Sequence, residues 1–137
     1  MLEKLDHIGI AVKDLDQAMK LYREAFRIEP DLVYESSYTE AKIAFFPIGD
    51  VRIELIQPVN PESVVGRFLE KKGEGIHHVS YRVKDVDGSL AELEMKGVQL
   101  IDKKSRKVRE NERVAFLHPK STNGVLVELI QEDRDLT

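Results

Sequence analysis

The opening stretch of the chain alternates between two kinds of position and then changes to the spacing of a helix. Over residues 7–12, His7, Gly9 and Ala11 alternate with three larger apolar residues, which predicts a strand with one buried face. Asp14 stands where a helix N-cap is expected, before apolar residues at helical spacing. Those residues are Leu15, Ala18, Met19, Tyr22 and Phe26. Three further strands are predicted near 31–38, 41–47 and 51–57.

The same order of patterns returns in the second half of the chain. A strand is predicted at 78–83, and Asp85 is expected to cap the helix that follows it. The apolar stripe of that helix is Val86, Leu90 and Leu93. Gly97 stands where a helix C-terminus favours a left-handed residue. Strands are then expected near 98–103, 113–117 and 125–131.

A third helix is predicted between the two halves, within residues 58–76. Asn60 is the expected N-cap, and Pro61 takes the first helical position, where its missing N–H costs nothing. Gly73 and Gly75 are expected to end this helix and lead into the second half. The residues expected to face inward are Val64, Val65, Phe68 and Leu69.

An internal repeat explains why the two halves share one plan. Residues 7–16, HIGIAVKDLD, and 78–87, HVSYRVKDVD, are identical at five of ten positions. Near the end of each half, VRIELIQ at 51–57 returns as VLVELIQ at 125–131, identical at five of seven positions. We therefore expect an α+β fold with one domain over 1–137. It comprises two tandem βαβββ modules, 5–57 and 77–131, joined by the helical linker 58–76.

The repeat places two histidines and two glutamates at equivalent positions. His7 and His78 begin the repeated strand, whereas Glu54 and Glu128 interrupt the apolar run of the last strand in each module. Strand parity directs each glutamate away from its apolar neighbours. If the first and last strands of a module are neighbours, each histidine and glutamate become cross-strand partners. Two such pairs facing each other would form a centre with two imidazoles and two carboxylates.

This set of side chains suits a divalent metal ion. Imidazole and carboxylate ligands together favour borderline cations such as Co²⁺, Mn²⁺, Ni²⁺, Fe²⁺ or Zn²⁺. Because the chain has no cysteine, a closed thiolate site is excluded, which favours a catalytic metal over a structural one. Such a metal polarises a carbonyl and stabilises an enolate, and a carboxylate beside it can transfer a proton as a general base.

Other polar residues have simpler interpretations. His77 has the opposite strand parity to His78, so we expect a structural role for it. His118 precedes a proline and is interpreted as a loop or substrate-proximal residue rather than a ligand. The basic run over 103–109 is typical of a solvated edge, although it could also attract a phosphorylated substrate.

Composition narrows the class of protein. The chain has a net charge of −4, which argues against general nucleic-acid binding. It has no apolar run long enough to span a membrane, and its opening residues do not resemble a signal peptide. We expect a compact cytoplasmic protein with neither a nucleic-acid partner nor a membrane partner.

Several segments resemble the vicinal oxygen chelate superfamily, which includes glyoxalase I, and within it the methylmalonyl-CoA epimerase family. The most specific are PESVVGRFLEKKGEGIHHVSYRV at 61–83 and RVAFLHPKSTNGVLVELIQ at 113–131. LDHIGIAVKDLDQAMKLYREAF at 5–26 and FFPIGDVRIELIQP at 45–58 also fit. The resemblance implies a curved, half-open mixed sheet around a metal site.

The resemblance also implies an activity. It is the interconversion of (R)- and (S)-methylmalonyl-CoA by metal-assisted proton abstraction at carbon 2 through an enolate. The implied metal ligands are His7, Glu54, His78 and Glu128, with Glu128 also acting as the catalytic acid/base. Co²⁺ is the implied metal, with Mn²⁺, Ni²⁺ and Zn²⁺ as alternatives, and the implied partners are an acyl-CoA substrate and a second copy of the chain.

Two features depart from the family pattern. Some members carry a second acid/base glutamate on the third strand of the first module, where this chain has Lys42, with Glu40 two residues away. The family often has a glycine-rich loop before the RVAFLHPKS segment, whereas residues 105–112 here contain no glycine. The second acid/base and the mode of CoA binding are therefore open at this stage.

Two other functions are compatible with the same pattern. A glyoxalase I-type lyase acting on a thiol hemithioacetal would use the same metal ligands, although the 61–83 and 113–131 segments favour the epimerase. A non-catalytic small-molecule-binding protein of the same fold, such as a bleomycin-resistance protein, generally lacks the complete ligand set that this chain retains.

Overall fold

The computed structural model describes residues 1–132. The chain divides into two compact units, one formed by residues 7–77 and the other by residues 1–6 together with the chain from His78 onward. The first six residues join the second unit through the Glu3 N–H, which donates to the Arg82 carbonyl at 2.8 Å. The Arg82 guanidinium also pairs with Asp6 and Glu132. Burial lowers the pKa of Arg82, but the two carboxylates outweigh it, so the pKa is raised overall.

Each half of the described chain has the predicted βαβββ order. The strands are β1 Lys4–Ala11, β2 Leu32–Ser36, β3 Ala41–Ile48, β4 Val51–Pro58, β5 Gly75–Arg82, β6 Arg106–Arg109, β7 Glu112–Leu117 and β8 Val127–Glu132. The α-helices are α1 Leu15–Lys20, α2 Val64–Lys72 and α3 Val86–Met95. A π-helical segment, Leu21–Ala25, continues α1, and a 3₁₀ turn spans Pro119–Ser121. None of the helices within residues 1–132 is long and apolar enough to cross a bilayer.

The strand order is the same in the two halves. In the first, β2, β3, β4 and β1 are consecutive neighbours; β1 and β4 are parallel, and the other pairs are antiparallel. In the second, β6, β7, β8 and β5 follow the same order, again with a parallel pair between β5 and β8. The repeat in the sequence is therefore a repeat of strand pairing. The α+β class predicted from the sequence is confirmed.

Both predicted aspartate caps are confirmed. The Asp14 carboxylate accepts the Gln17 N–H at the start of α1, and the Asp85 carboxylate accepts the Gly88 N–H at the start of α3. Gly97 has φ +87° after α3, as expected for a left-handed C-terminal residue. These features are local in sequence, which is why the pattern predicted them.

Each helix contributes to a separate apolar cluster. In the first unit, Leu15 and Met19 of α1 pack on one face of the strands with Phe46 and Leu55. Val65 of α2 packs on the other face, in a cluster with Ala11, Ala41, Ile43, Phe45 and Ile56. In the second unit, Val86 and Leu90 of α3 pack with Ala115, Leu117 and Leu129. β1 has one more deeply buried face, as predicted, but that face carries His7, Gly9 and Ala11, whereas Ile8 and Ile10 are half-buried.

Two other element predictions are wrong. Residues 98–103 form no strand, and only Leu100 makes an isolated bridge, to Leu117. The reason is that Asp102 replaces a regular ladder: its carboxylate accepts the Phe116 N–H, and its own N–H donates to the Phe116 carbonyl. The sixth strand is instead β6, within the basic run.

The start of α2 also differs from the prediction. Ser63 is the N-cap, and its hydroxyl accepts the Gly66 N–H at 3.1 Å. Asn60 lies three residues before Ser63 and forms a turn, in which its side-chain oxygen accepts the Glu62 N–H. Because the helix begins at Val64, that residue lies 72% exposed instead of facing inward. The helix ends at Gly73 as expected.

Candidate metal centre

The two glutamates occupy the same register position in the two repeats. Glu54 lies opposite Gly9 in the parallel pair of β4 with β1. Glu128 lies opposite Ser80 in the parallel pair of β8 with β5. Phenylalanines occupy the antiparallel side of each glutamate, Phe45 in the first repeat and Phe116 in the second. Strand pairing thus reproduces one local environment twice.

In the first unit, the structure brings His7 and Glu54 together. The His7 Nε2 atom lies 3.5 Å from Glu54 Oε1, and both residues are buried, at 3% and 7% exposure. The two are diagonal neighbours rather than direct cross-strand partners, since His7 lies opposite Arg52 in the register. A buried carboxylate is unfavourable unless it is paired with a positive group, a hydrogen-bond donor or a cation.

Aromatic rings limit how the two imidazoles can lie. The His7 ring meets Phe45 edge to face, with centroids 5.5 Å apart and an interplanar angle of 85°. In the second unit, His78 meets Phe116 in the same way, at 5.9 Å and 88°. Rings held in this manner lose rotational freedom, which favours a defined direction for the ring nitrogens.

In the second unit, His78 and Glu128 are buried, at 4% and 8% exposure. The Ser80 hydroxyl donates to Glu128 Oε1 at 2.8 Å, and Ser80 is fully buried. Ser80 is absent from the functional residues predicted from the sequence. Its strand parity, shared with His78, is the signal that could have found it.

Neither candidate for the second acid/base lies on the face of β3 that carries Phe45. That face presents the buried residues Ala41, Ile43 and Phe45. Lys42 is exposed and has the opposite strand parity. Glu40 lies in the preceding turn with φ +52°, and its carboxylate accepts from Asn60 Nδ2 at 2.5 Å. Strand parity therefore directs Lys42 away from the face that carries Phe45, whereas Glu40 precedes the strand at a left-handed turn position.

The two remaining histidines have structural contacts. His77 meets Phe68 of α2 edge to face at 5.1 Å, which agrees with the structural role predicted for it. His118 caps the 3₁₀ turn, where its Nδ1 accepts the Lys120 N–H at 3.1 Å. It is a loop residue, as predicted.

The basic run lies along the edge strand β6 and the segment before it. Its five basic side chains are exposed, and two of them form ion pairs, Arg106 with Asp102 and Arg109 with Glu112. Exposed charges on an edge strand discourage pairing with another chain. This arrangement fits the solvated edge predicted from the sequence.

The donor types are suited to a divalent cation. Buried imidazole and carboxylate groups supply nitrogen and oxygen ligands of intermediate hardness, which Co²⁺, Mn²⁺, Ni²⁺ and Zn²⁺ accept. Each unit provides one such histidine and one such glutamate. These side chains are buried, and an aromatic ring packs against each imidazole, so their nitrogen and oxygen atoms lie in an environment of low polarity.

Comparison with known proteins identifies relatives over nearly the whole chain. An ethylmalonyl-CoA/methylmalonyl-CoA epimerase of Cereibacter sphaeroides is 34% identical, covering 96% of this chain and 99% of its own length. An uncharacterised protein of Bacillus subtilis, YqjC, is 38% identical, covering 98% of this chain and 96% of its own.

A solved structure also matches nearly the whole chain. A variant of Streptomyces coelicolor methylmalonyl-CoA epimerase, in complex with 2-nitronate-propionyl-CoA, has a TM-score of 0.92 and 34% identity. The match covers 98% of this chain and 97% of that one. Residues 6–116 also match the family described as the glyoxalase/bleomycin resistance protein/dioxygenase superfamily. With this match over most of its length and relatives above 30% identity, the chain belongs to that superfamily.

Proposed function

We propose that this chain is a metal-dependent isomerase that interconverts (R)- and (S)-methylmalonyl-CoA. The observation that carries the proposal is the repeated placement of a buried histidine and a buried glutamate, one pair in each repeat. Similarity to methylmalonyl-CoA epimerases over nearly the full length supports this substrate. The same similarity favours the epimerase over a glyoxalase I-type lyase.

We propose His7, Glu54, His78 and Glu128 as the metal ligands. In the first unit, the His7 Nε2 and Glu54 Oε1 atoms are 3.5 Å apart, and His78 is the repeat equivalent of His7. Glu128 is the repeat equivalent of Glu54 and shares its register position. Cobalt is the proposed metal, with Mn²⁺, Ni²⁺ and Zn²⁺ as alternatives. We also propose that the modules at 5–57 and 77–131 act as one domain, and that the protein is a cytoplasmic homodimer.

The proposed chemistry divides between the ion and the side chains. A divalent cation supplies Lewis acidity, which stabilises negative charge on the substrate oxygens after carbon 2 loses its proton. Glu128 takes that proton as a general base and returns it as a general acid. Phe45 and Phe116, beside the histidines, exclude water from the imidazoles and strengthen their interaction with charge.

Epimerisation also requires that a proton reach the opposite face of carbon 2. The apolar side chains of Ala41, Ile43 and Phe45 offer no acid or base from β3. Glu40, in the turn before β3, and Lys42, on that strand, stay the two candidates for this role. The exchange experiment starts from each epimer, so it measures proton transfer in each direction separately.

Deuterium exchange tests the proposed activity. Each epimer of methylmalonyl-CoA is incubated in deuterated water with protein, with and without Co²⁺, and deuterium at carbon 2 is followed by mass spectrometry. We expect uptake that depends on Co²⁺ and proceeds from both epimers. A glutathione hemithioacetal assayed in parallel tests the lyase alternative, since turnover of that substrate alone would identify a glyoxalase.

Substitution of the proposed base tests the mechanism. We expect Glu128→Gln to lower the exchange rate by about 10²-fold or more, because the amide cannot accept the proton. Glu110→Gln, at an exposed position, is the matched control and should leave the rate unchanged. Circular dichroism checks that both variants are folded. Exchange at the wild-type rate in Glu128→Gln would exclude Glu128 as the base.

A further inference from the structure

The two repeats differ at the residue that faces each glutamate across the parallel strand pair. In the first repeat this residue is Gly9, which has no side chain to offer. In the second repeat it is Ser80, whose hydroxyl donates to Glu128 Oε1 at 2.8 Å. The sequence repeat aligns Gly9 with Ser80, so one substitution distinguishes two otherwise equivalent carboxylate environments.

The hydrogen bond between Ser80 and Glu128 is buried and is set by strand pairing. Ser80 is fully buried and Glu128 is 8% exposed, so the hydrogen bond is shielded from competing water. The two residues are 48 positions apart in sequence, and their direct register in β5 and β8 sets the distance between their Cα atoms. A hydroxyl bound to a carboxylate oxygen forms a charge-assisted hydrogen bond, which is stronger than one between neutral groups.

The glutamates therefore have different neighbours. Glu54 Oε1 lies 3.5 Å from Nε2 of the His7 imidazole. Glu128 Oε1 accepts a hydrogen bond from a hydroxyl on the adjacent strand, where the first repeat has a glycine. A hydroxyl can restrain the rotamer of a carboxylate while directing only one of its two oxygens.

We infer that Ser80 is a positioning residue, which holds the Glu128 carboxylate in the orientation needed for proton transfer at carbon 2. The inference rests on the proposed function and adds the reason why the second repeat, rather than the first, supplies the base. Holding a base within a few tenths of an ångström of its productive position affects the rate of the chemical step more than substrate binding.

Ser80→Ala is the test, with Ser89→Ala as the matched control. Ser89 is a buried serine of the same unit, on helix α3. Its substitution by alanine also removes one buried hydroxyl, but not the hydroxyl that binds Glu128. Steady-state exchange gives kcat and KM for methylmalonyl-CoA. The visible absorption of the Co²⁺-loaded proteins reports on ligand geometry independently of activity.

We expect Ser80→Ala to lower kcat about tenfold, the scale for loss of one hydrogen bond to a charged group, while KM stays within twofold of wild type. We also expect its Co²⁺ bands to shift, whereas Ser89→Ala should match the wild type in all three quantities. A kcat within twofold of wild type, or unchanged Co²⁺ bands, would overturn the inference. If the wild type shows no exchange, the proposed function fails and the inference fails with it, whereas exchange by the wild type at a rate that Ser80→Ala leaves unchanged overturns the inference alone.

Discussion

Two hydrogen bonds from one serine lower the pKa of an aspartate that the repeat duplicates. Asp16 and Asp87 are equivalent in the sequence repeat, and both lie in the first turn of a helix, α1 and α3. The second has a serine close by: the Ser105 N–H and hydroxyl donate to the two oxygens of the Asp87 carboxylate, at 2.7 and 2.8 Å. Donation from the Ser105 backbone and then its side chain lowers the pKa of Asp87.

The lowered pKa of Asp87 predicts a dependence of stability on pH. A carboxyl whose pKa is lower in the folded state stabilises the fold above its unfolded pKa of about 3.9, and this contribution is lost as the pH falls through the folded value. We therefore expect Asp87→Asn to reduce the free energy of unfolding at pH 7 and to have less effect at pH 3. Urea denaturation at the two pH values measures the difference.

The repeat supplies the control for this experiment. Asp16→Asn removes a carboxylate from the first turn of a helix without removing a bond to Ser105. It should show only the small effect of a charge near the helix N-terminus. An equal dependence on pH in both variants would assign the effect to the helix position rather than to Ser105.

At the scale of elements, a second repeated device connects each helix to the last strand of its module. The Gln57 side-chain oxygen, in β4, accepts the Leu15 N–H at the start of α1 at 2.8 Å. The Gln131 side-chain oxygen, in β8, accepts the Val86 N–H at the start of α3 at 2.9 Å. The first N–H groups of a helix have no acceptor within the helix. These glutamines supply acceptors to two such donors, which are partly buried.

Removing the glutamine oxygen should destabilise the helix–strand connection. We expect Gln57→Met, which preserves the approximate volume of the side chain, to lower the free energy of unfolding by about 1–3 kcal/mol, because the Leu15 N–H loses its acceptor. Gln99→Met, at an exposed position, is the control and should change it by less than about 0.5 kcal/mol. Equal stability of the two variants in urea would show that water replaces the glutamine.

At the scale of the whole molecule, ligands for one ion would come from residues far apart in the chain. His7 and Glu54 are 47 positions apart, and His78 follows the linker helix α2. The proposed site would therefore exist only after the strands have paired. A metal that binds the folded chain more tightly than the unfolded chain must therefore stabilise the fold.

Thermal unfolding tests this coupling. With Co²⁺ at about 100 times its dissociation constant, the stabilisation is about 2.7 kcal/mol, and we expect the Tm to rise by roughly 5–10 °C. His78→Ala should lose most of this rise, since it removes a proposed ligand. His118→Ala, which removes a histidine that caps the 3₁₀ turn, should retain it. The same rise in all three proteins would exclude His78 as a ligand.

The sequence by itself determined the features that depend on local pattern. The two aspartate caps and the left-handed Gly97 follow from residues within a few positions of each other, and the repeat follows from the match between two segments of the chain. The equivalence of His7 with His78 also followed from the repeat of sequence, and that of Glu54 with Glu128 became a repeat of strand register.

Tertiary structure decided the contacts, because these depend on which strands pair and in what register. Register made His7 and Glu54 diagonal neighbours and set Ser80 against Glu128. It also placed Lys42 away from the face that carries Phe45, although its position in the sequence suggested a catalytic role. Each pair involves residues separated by tens of positions, and no periodicity in the sequence encodes the distance between them.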